Sequence, residues 1–446
     1  MRSVGPLLLW STVGFALLLS AARPVSTNDL DIYLAMGRWM SQHGQLVETE
    51  TFSWTAFGAP FVNGTWGFSV LAHALVERVD LRGLQLLNGG LVALAVWMTA
   101  QAAGCLGADR RAQAIAALWA FALMFQNTTV RGQTFVFPLF AGLLWWSVKK
   151  RSPAASVVVG VVGGAVWGAL HGSFPAGLVA LGLLALGGRW QTPVAVAVGL
   201  AIGVCIGPYG PAIWLYVLEN GSLPRERDFV EWYAPTLGSF EGARFWLAAV
   251  LGGLLVARRG TWEARLVFLG FVLLGATGVR FVAWFGLATA PFVASALPFS
   301  HDRGLSSRLV RPIEGVVTVM WVVFLVRGLE PRERILSWDT PVELLAALPT
   351  EGRIFNPPEL GGAIVWRQPD LQISHDVRTW VYDDDAWWMY IELSRAPEDW
   401  NERLIGVDHL LLVEDFHGQT LLPEALAHPD WAVVRQTDQG ALLRRR

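Results

Sequence analysis

The sequence predicts an all-α polytopic membrane protein followed by a soluble α/β domain. Three observations predict it. First, only 16% of residues are charged and 53% are hydrophobic, where soluble domains carry about 25% charged residues; the mean hydropathy is +0.42. Second, apolar runs approaching the roughly 20 residues needed to cross a bilayer recur up to about residue 328. Third, the composition shifts after Val326, where charges and prolines replace the apolar runs.

About eleven segments read as transmembrane helices. They centre on 5–22, 83–103, 112–126, 133–148, 154–170, 173–187, 192–208, 243–257, 264–279, 281–298 and 312–328. The first also resembles the apolar part of a signal peptide. Ser20-Ala21-Ala22 is a poor cleavage site, however, and the topology needs this helix. Arg110/Arg111, Lys149/Lys150/Arg151, Arg189, Arg258/Arg259 and Arg303/Arg308/Arg311 fall in alternate short loops. The positive-inside rule makes those loops cytoplasmic. The N-terminus is then cytoplasmic and the C-terminal domain extracytoplasmic.

This division gives residues 1–330 as the membrane domain, including a long first outer loop at 23–82, and 331–446 as the outer domain. The loop is polar and aromatic-rich, and too long to be a mere connector. Leu30, Leu34 and Met40 lie among polar neighbours at helical spacing, and Phe68 to Val79 repeats the pattern. Both predict short amphipathic helices in the interface. Gly58-Ala59-Pro60 predicts a turn between extended pieces. In the outer domain, helices are expected at Pro341 to Leu348 and Leu421 to Ala427. Strands are expected at Arg353 to Phe355, Ala363 to Trp366, Leu371 to Ile373, Leu410 to Val413, Trp431 to Arg435 and Ala441 to Leu443. This alternation predicts a small α/β sheet.

Net charge is -2, which implies no nucleic-acid partner. Cys105 and Cys205 fall in or beside apolar runs and read as packing residues rather than a disulfide or metal pair. There is no Cys/His ligand cluster and no phosphate-binding glycine loop. The cofactor is left open: a divalent metal finds no support in the residues.

The expected outer face gathers the polar interruptions of the apolar runs. They are the 23–82 loop, Asn127 to Gln133, His171-Gly172-Ser173, Gly207 to Gly210, the 219–242 loop and Arg280. Ionisable groups at the edge of a span are costly unless they face protein or water, which makes them functional candidates. The plain alternative is that each caps a helix. For a single residue such as His171 that alternative is as good; for the set on one face, a site is favoured.

These residues carry a resemblance. It runs through Asp29, Gly37-Arg38-Trp39, Glu50 to Thr55 and Val62 to Trp66. It continues through Arg131 to Phe135, Leu170 to Phe174, Pro208-Tyr209-Gly210 with Glu231-Trp232, and Val279-Arg280-Phe281. It ends with Gly361 to Trp366 and Asp376-Val377-Arg378. In this order they resemble bacterial polytopic proteins of the GT-C glycosyltransferase superfamily, of the oligosaccharyltransferase and protein mannosyltransferase type. The motifs are short; their succession over nearly the whole chain carries the resemblance. It implies a multi-pass protein of the bacterial cytoplasmic (inner) membrane, with a polyprenyl-phosphate-linked sugar as donor and membrane lipids around it. It also implies an inverting transfer to an envelope acceptor. The catalytic acid position of the first loop falls on Asp29, with Asp31 beside it. A carboxylate there takes the acceptor's proton as the anomeric carbon is attacked. Arg131 and Arg280 suit the leaving phosphate. Gln133, His171, Tyr209, Glu231 and Trp66 complete the expected binding set. Trp54, Trp66, Trp232 and Tyr209 suit stacking on sugar or lining a lipid groove, although interfacial anchoring explains most such aromatics.

The chain departs from the pattern in places. Ile32-Tyr33 stands where an aromatic-His pair is common, Glu50-Thr51 where Asp-Pro is, and Gly64-Thr65 where His-Glu is. Loss of that second acid weakens the expectation of a metal site. The rival readings are a non-catalytic scaffold that binds a glycolipid or an envelope-assembly partner, and a transporter. Against the transporter, the apolar runs lack clustered charges and paired broken helices. The expectation for the site is that Asp29, Arg131, His171 and Arg280 share one outer cavity. Asp29 alternatively serves as the N-cap of its helix, worth about 1 kcal/mol.

Overall fold

The computed structural model describes residues 5–25, 27–219, 221, 226–227, 229–297, 340–414 and 420–446, without the side chains of 27 and 28. These residues form two compact units. The first holds Gly5 to Arg23 and Leu81 to Leu297; the second holds Pro24 to Asp80 and Thr340 to Arg446.

The first unit is helical. Its elements are α1 (Gly5–Ala21), the second part of α3 (Trp66–Cys105), α4 (Arg110–Met124), α5 (Gly132–Ser147), α6 (Pro153–Leu170), α7 (Pro175–Leu186), α8 (Gln191–Gly203), α9 (Ala212–Glu219), α10 (Phe240–Arg259), α11 (Trp262–Thr277) and α12 (Val282–Ser295). Helix α3 leaves helical geometry at Asp80 (φ 58, ψ -175), where the chain passes from one unit to the other. Helix starts follow local chemistry. Asp109 accepts from Arg111 N and Ala112 N, Ser239 from Gly242 N and Thr261 from Ala264 N; each satisfies an otherwise orphaned donor.

Helix α12 is the centre of this unit. It is buried continuously from Val282 to Ala294, as befits a helix apolar on all sides. Trp284 on α12 lies 5.1 Å from Phe140 and stacks on Trp167 at 5.9 Å, ring centre to ring centre. Helices α6 and α8 meet through glycines. A Cβ on Gly160 would come 2.3 Å from Val196 O, one on Gly164 2.4 Å from Leu200 O, and one on Gly199 2.2 Å from Val157 O. Only glycine permits that backbone approach, and close packing of this kind is how helices associate where lipid removes the hydrophobic drive.

Among the described residues, helix covers most of each expected transmembrane segment; 312–328 and residue 298 lie outside the described residues. Three described helices are long and apolar enough to cross a membrane by length and composition: Trp66–Cys105, Pro153–Leu170 and Phe240–Arg259. Shorter apolar helices stand at Gly5–Ala21, Pro175–Leu186, Gln191–Ile206 and Val279–Ser295.

The second unit joins α2 (Thr27–His43) and the first part of α3 to α13 (Val342–Ala346), α14 (Pro358–Arg367), α15 (Asp384–Ser394), α16 (Trp400–Arg403), α17 (Leu421–Ala427) and a sheet. The strands are β1 (Gly352–Phe355), β2 (Leu371–Ile373), β3 (His409–Val413), β4 (Trp431–Thr437) and β5 (Gly440–Arg445), in the order β2-β1-β3-β5-β4. β1 pairs parallel with β2 and β3; β5 pairs antiparallel with β3 and β4. β3 is buried along its whole length, as expected of a strand covered on both faces.

Two expectations are corrected here. Ala363 to Trp366, read as a strand, lies in helix α14. Leu360 to Val365 is buried without a break, and periodicity cannot separate a buried strand from a buried helix. The flanking signal was Pro358 at the helix start with Gly361 and Gly362 inside. A Cβ on Gly361 would sit 2.1 Å from His375 O, and one on Gly362 2.6 Å from Ile32 N. The second correction concerns the first loop. The sequence placed 23–82 with the membrane helices, but residues 24–80 pack with the C-terminal residues. Ser53 bridges to Ile373 beside β2, with Trp54 N donating to Ile373 O at 2.9 Å and Ile373 N to Phe52 O at 3.0 Å. Open backbone edges invite such pairing, which hydropathy alone does not reveal.

Candidate functional site

In the first unit, loop residues between helices assemble a polar cluster. Arg131 stands at the N-cap of α5, in extended geometry. Glu231 lies on a short 3₁₀ turn, Val230–Trp232, and Arg280 on another, Val279–Phe281. Val279 N donates to Tyr233 O at 3.0 Å, tying these turns together. The Glu231 carboxylate bridges both guanidinium groups: Oε2 lies 2.9 Å from Arg131 Nη1, and Oε1 lies 3.3 Å from Arg280 Nη1. Arg280 stacks over the Trp232 ring at 4.1 Å, a cation–π contact that fixes its plane. Trp232, expected as a sugar or lipid contact, thus supports an arginine.

Gln133 is buried in the first turn of α5, and its Nε2 reaches Arg280 O at 3.5 Å. His171 is the C-cap of α6: its N–H donates to Trp167 O at 2.9 Å, and its Nδ1 accepts from Ser173 N at 3.1 Å. Ser173 Oγ in turn accepts from Trp167 Nε1 at 3.1 Å. His171 therefore does cap its helix and also faces the cluster. Tyr209, in the loop before α9, lies near Tyr216, which the sequence reading did not single out. Burial raises the Tyr216 phenol, Tyr209 adds to the rise and Arg280 opposes it.

Charge sets the protonation of this cluster. Burial works to raise the Glu231 carboxyl, but Arg131 and Arg280 together hold it down at about 2. Burial lowers the His171 imidazole to about 3, with Arg280 and Arg131 adding to the effect. At neutral pH the cluster is two cations, one carboxylate and a neutral imidazole: a half-neutralised anion site.

The second unit holds the expected acidic residues. Asp29 is half-buried in the first turn of α2. There it meets the positive end of the helix dipole rather than serving as the N-cap, since α2 already begins at Thr27. Asp31 is buried, with Oδ2 3.5 Å from Arg367 Nη1 on α14. Burial pushes its carboxyl up to about 7 and Arg367 opposes the rise. Trp66 is half-buried at the start of α3. The structure thus brings together Arg131, Gln133, His171, Glu231 and Arg280 in one unit, and places Asp29, Asp31 and Trp66 in the other.

The same unit contains a buried charge network built from Glu50, Asp376 and Arg378, motif residues to which the sequence alone assigns no role. Arg378 Nη2 lies 2.6 Å from Asp376 Oδ2 and 2.7 Å from Glu50 Oε2. Glu50 Oε1 also accepts from Phe52 N and Ser53 N, each at 2.7 Å. The guanidinium carbon lies 5.4 Å from both the Phe52 and Phe61 rings. Fully enclosed, this network joins the first loop to the C-terminal fold. No group of three or more His, Cys, Asp or Glu residues capable of holding a metal ion occurs among the described residues.

No family model and no curated protein matches the chain. Solved structures do. ArnT from Cupriavidus metallidurans bound to undecaprenyl phosphate is 13% identical, with a TM-score of 0.60 over 98% of this chain and 97% of that one. The Archaeoglobus fulgidus oligosaccharyltransferase tethered with an acceptor peptide is 11% identical, with a TM-score of 0.58 over 91% of this chain and 69% of that one. The Archaeoglobus fulgidus oligosaccharyltransferase AglB in complex with an inhibitory peptide and a dolichol-phosphate is 11% identical, with a TM-score of 0.56 over 90% and 69%. The chain has the fold of these structures, the fold that the resemblance implied.

Proposed function

We propose that the chain is a membrane glycosyltransferase that takes a sugar from a polyprenyl-phosphate carrier and passes it to an envelope acceptor outside the cytoplasmic membrane. The observation that carries this reading is the convergence of Arg131 and Arg280 on a single carboxylate at the helix ends. A pair of guanidiniums held that way can equally grip a phosphate, through bidentate charge-assisted hydrogen bonds. The fold supports it: two of the similar structures hold undecaprenyl phosphate or a dolichol-phosphate.

In the proposed reaction the acceptor's nucleophilic atom gives its proton to a carboxylate base, the role that the resemblance carries onto Asp29, and attacks the anomeric carbon from the face opposite the phosphate. The bond from that carbon to the phosphate oxygen breaks, the configuration inverts, and the phosphate leaves on its lipid with the electron pair. Arg131 and Arg280 stabilise the charge that develops there. Asp29 suits the base role better than Asp31, because Asp29 keeps partial exposure while Asp31 is buried against Arg367. Neutral His171 keeps Ser173 and the α6 end in place beside the arginines.

A second reading is a non-catalytic glycolipid-binding scaffold. It is favoured by Glu231, which already neutralises much of the arginine pair. The test is mass spectrometry of envelope glycans and lipids from cells carrying the wild type, Asp29→Asn or Arg280→Gln at equal membrane abundance. A glycosylated product present with the wild type and lost with both variants supports the enzyme. A product unchanged by Asp29→Asn removes the base role, and a wild type that changes no glycan leaves the scaffold.

A further inference from the structure

We propose that a cleft at the ends of α5 and α7 and the start of α8 is a second anion site, built for a phosphate group and separate from the Arg131/Arg280 cluster. The cleft has a volume of about 190 Å³ and is lined by Ser147, Lys149, Lys150, Arg189, Trp190 and Thr192, among others. Its chemistry is one-sided. Lys149 and Lys150 are exposed. Arg189 is held in place from two sides, Nε 2.6 Å from Glu263 Oε2 and Nη1 donating to Val148 O at 2.7 Å. Helix α8 opens onto the cleft with Gln191 and Thr192, and no side chain caps its start. The N–H groups of Gln191 and Thr192, Pro193 having none, and the positive end of the α8 dipole stand at the cleft that the lysines also line, an arrangement suited to anions.

The side chain that points to a ligand is Ser147. It is buried, 1% exposed, and its hydroxyl has no hydrogen-bond partner among the described residues, although it lines the cleft. A buried hydroxyl without a partner costs about 1–3 kcal/mol, and a phosphate oxygen would satisfy it. Thr192, also buried, is already engaged: its Oγ1 accepts from Arg151 N at 3.0 Å. That bond closes the floor of the cleft by tying the Lys149–Arg151 loop to α8.

The surroundings match the level of lipid headgroups. Trp190 and Trp262 are each 62% exposed at these same helix ends, and exposed tryptophans favour the membrane–water boundary. Basic pockets between helices at that level suit anionic lipid heads. A lipid phosphate and a soluble phosphate share the needed chemistry, so the experiment separates them.

The full chain is purified into nanodiscs of zwitterionic phosphatidylcholine. Its thermal midpoint is followed as phosphatidylglycerol is added to the lipid, and separately as inorganic phosphate is added to the buffer. The variants are Lys149→Gln/Lys150→Gln, Ser147→Ala, and Arg258→Gln/Arg259→Gln. The last removes two exposed charges from the end of α10, outside the cleft. The expected result is a rise in midpoint with phosphatidylglycerol whose half-point moves about tenfold higher in the double-lysine variant. Ser147→Ala should weaken it less, and the α10 variant should match the wild type. A response to inorganic phosphate alone, lost in the same variants, keeps the site and assigns it to a soluble phosphate. Equal weakening by the α10 variant means general surface charge and overturns the site, as does a wild type that responds to neither probe. If the double-lysine variant does not fold, Ser147→Ala decides: an unchanged half-point overturns the proposal.

Discussion

Arg378 and Glu50 meet at 2.7 Å inside the second unit, one from the C-terminal domain and the other from the first loop, with neither side chain more than 1% exposed. Asp376 shares the same guanidinium. Two carboxylates thus face one cation in a buried space. Burial raises the Glu50 carboxyl while Arg378 opposes the rise and Asp376 adds to it.

That arrangement makes unequal predictions for its members. Arg378→Met should leave Asp376 buried without its cation and cost about 3–5 kcal/mol, enough to abolish a folded, membrane-abundant protein. Glu50→Gln keeps the Oε1 acceptor for Phe52 N and Ser53 N but sets an amide N–H against the guanidinium where Oε2 stood, and should cost less than Arg378→Met, about 1–3 kcal/mol. Fluorescence-detected size exclusion of both variants checks this; equal losses would show that the Glu50 carboxylate matters to the network as much as its cation.

Asp31 predicts a pH dependence. Its carboxyl is pushed from an ordinary 3.8 up to about 7 by burial, against the pull of Arg367. Between these values the folded chain holds a proton that the unfolded chain has released. Its stabilising contribution is therefore complete below pH 3.8 and lost as the pH rises through about 7. Asp31→Asn should remove that slope, which is at most about 1.4 kcal/mol per pH unit. Thermal midpoints of both proteins across pH 4 to about 8 are the measurement, and a constant difference between them contradicts the assignment.

The arginine pair predicts opposite effects of its neighbours on lipid binding. Arg280→Gln should weaken binding of undecaprenyl phosphate about tenfold, the loss expected for one charge-assisted contact. Glu231→Gln frees both guanidiniums and should tighten it by about threefold. Native mass spectrometry of the purified protein reads both. Weaker binding in Glu231→Gln would mean that the carboxylate positions the arginines rather than competing with phosphate.

The glycine seam between α6 and α8 predicts a position-specific tolerance. Gly164→Leu meets Leu200 O at its first side-chain atom and should prevent the helices from closing, costing on the order of 3 kcal/mol or more. Gly182→Ala on α7 meets nothing within 4 Å and should be neutral or stabilising by up to about 1 kcal/mol. Detergent-resistant thermal midpoints distinguish them; similar losses at both positions would contradict the close-approach account.

Several motifs that carried the family resemblance prove to be packing devices. Gly37 faces Ser69 O, which a Cβ would approach to 2.2 Å. Arg38 caps α14 through Val365 O and Trp366 O at 2.8 and 2.9 Å. Gly361 and Gly362 admit neighbouring backbone, and Asp376 with Arg378 forms the buried network. Such residues are legible one by one, because a glycine or an arginine in an apolar run is unusual. Their purposes are not legible, because each depends on a partner distant in the chain.

What the sequence determined by itself was local and compositional. Apolar runs gave helices over most of the described stretches where they were expected; a run that satisfies its backbone internally does so most simply as helix. Short β-branched and leucine-rich stretches gave β1, β2, β3, β4 and β5. The shared edge placed Arg131, Glu231 and Arg280 among the candidates. The tertiary structure alone decided three things: that the first loop belongs with the C-terminal sheet, that Ala363 to Trp366 is helical, and that Glu231 is the residue both arginines grip. The physical reason is common to all three. Burial, edge pairing and ion pairing are set by which surfaces meet in space, and hydropathy along a chain records how much surface must be covered without recording what covers it.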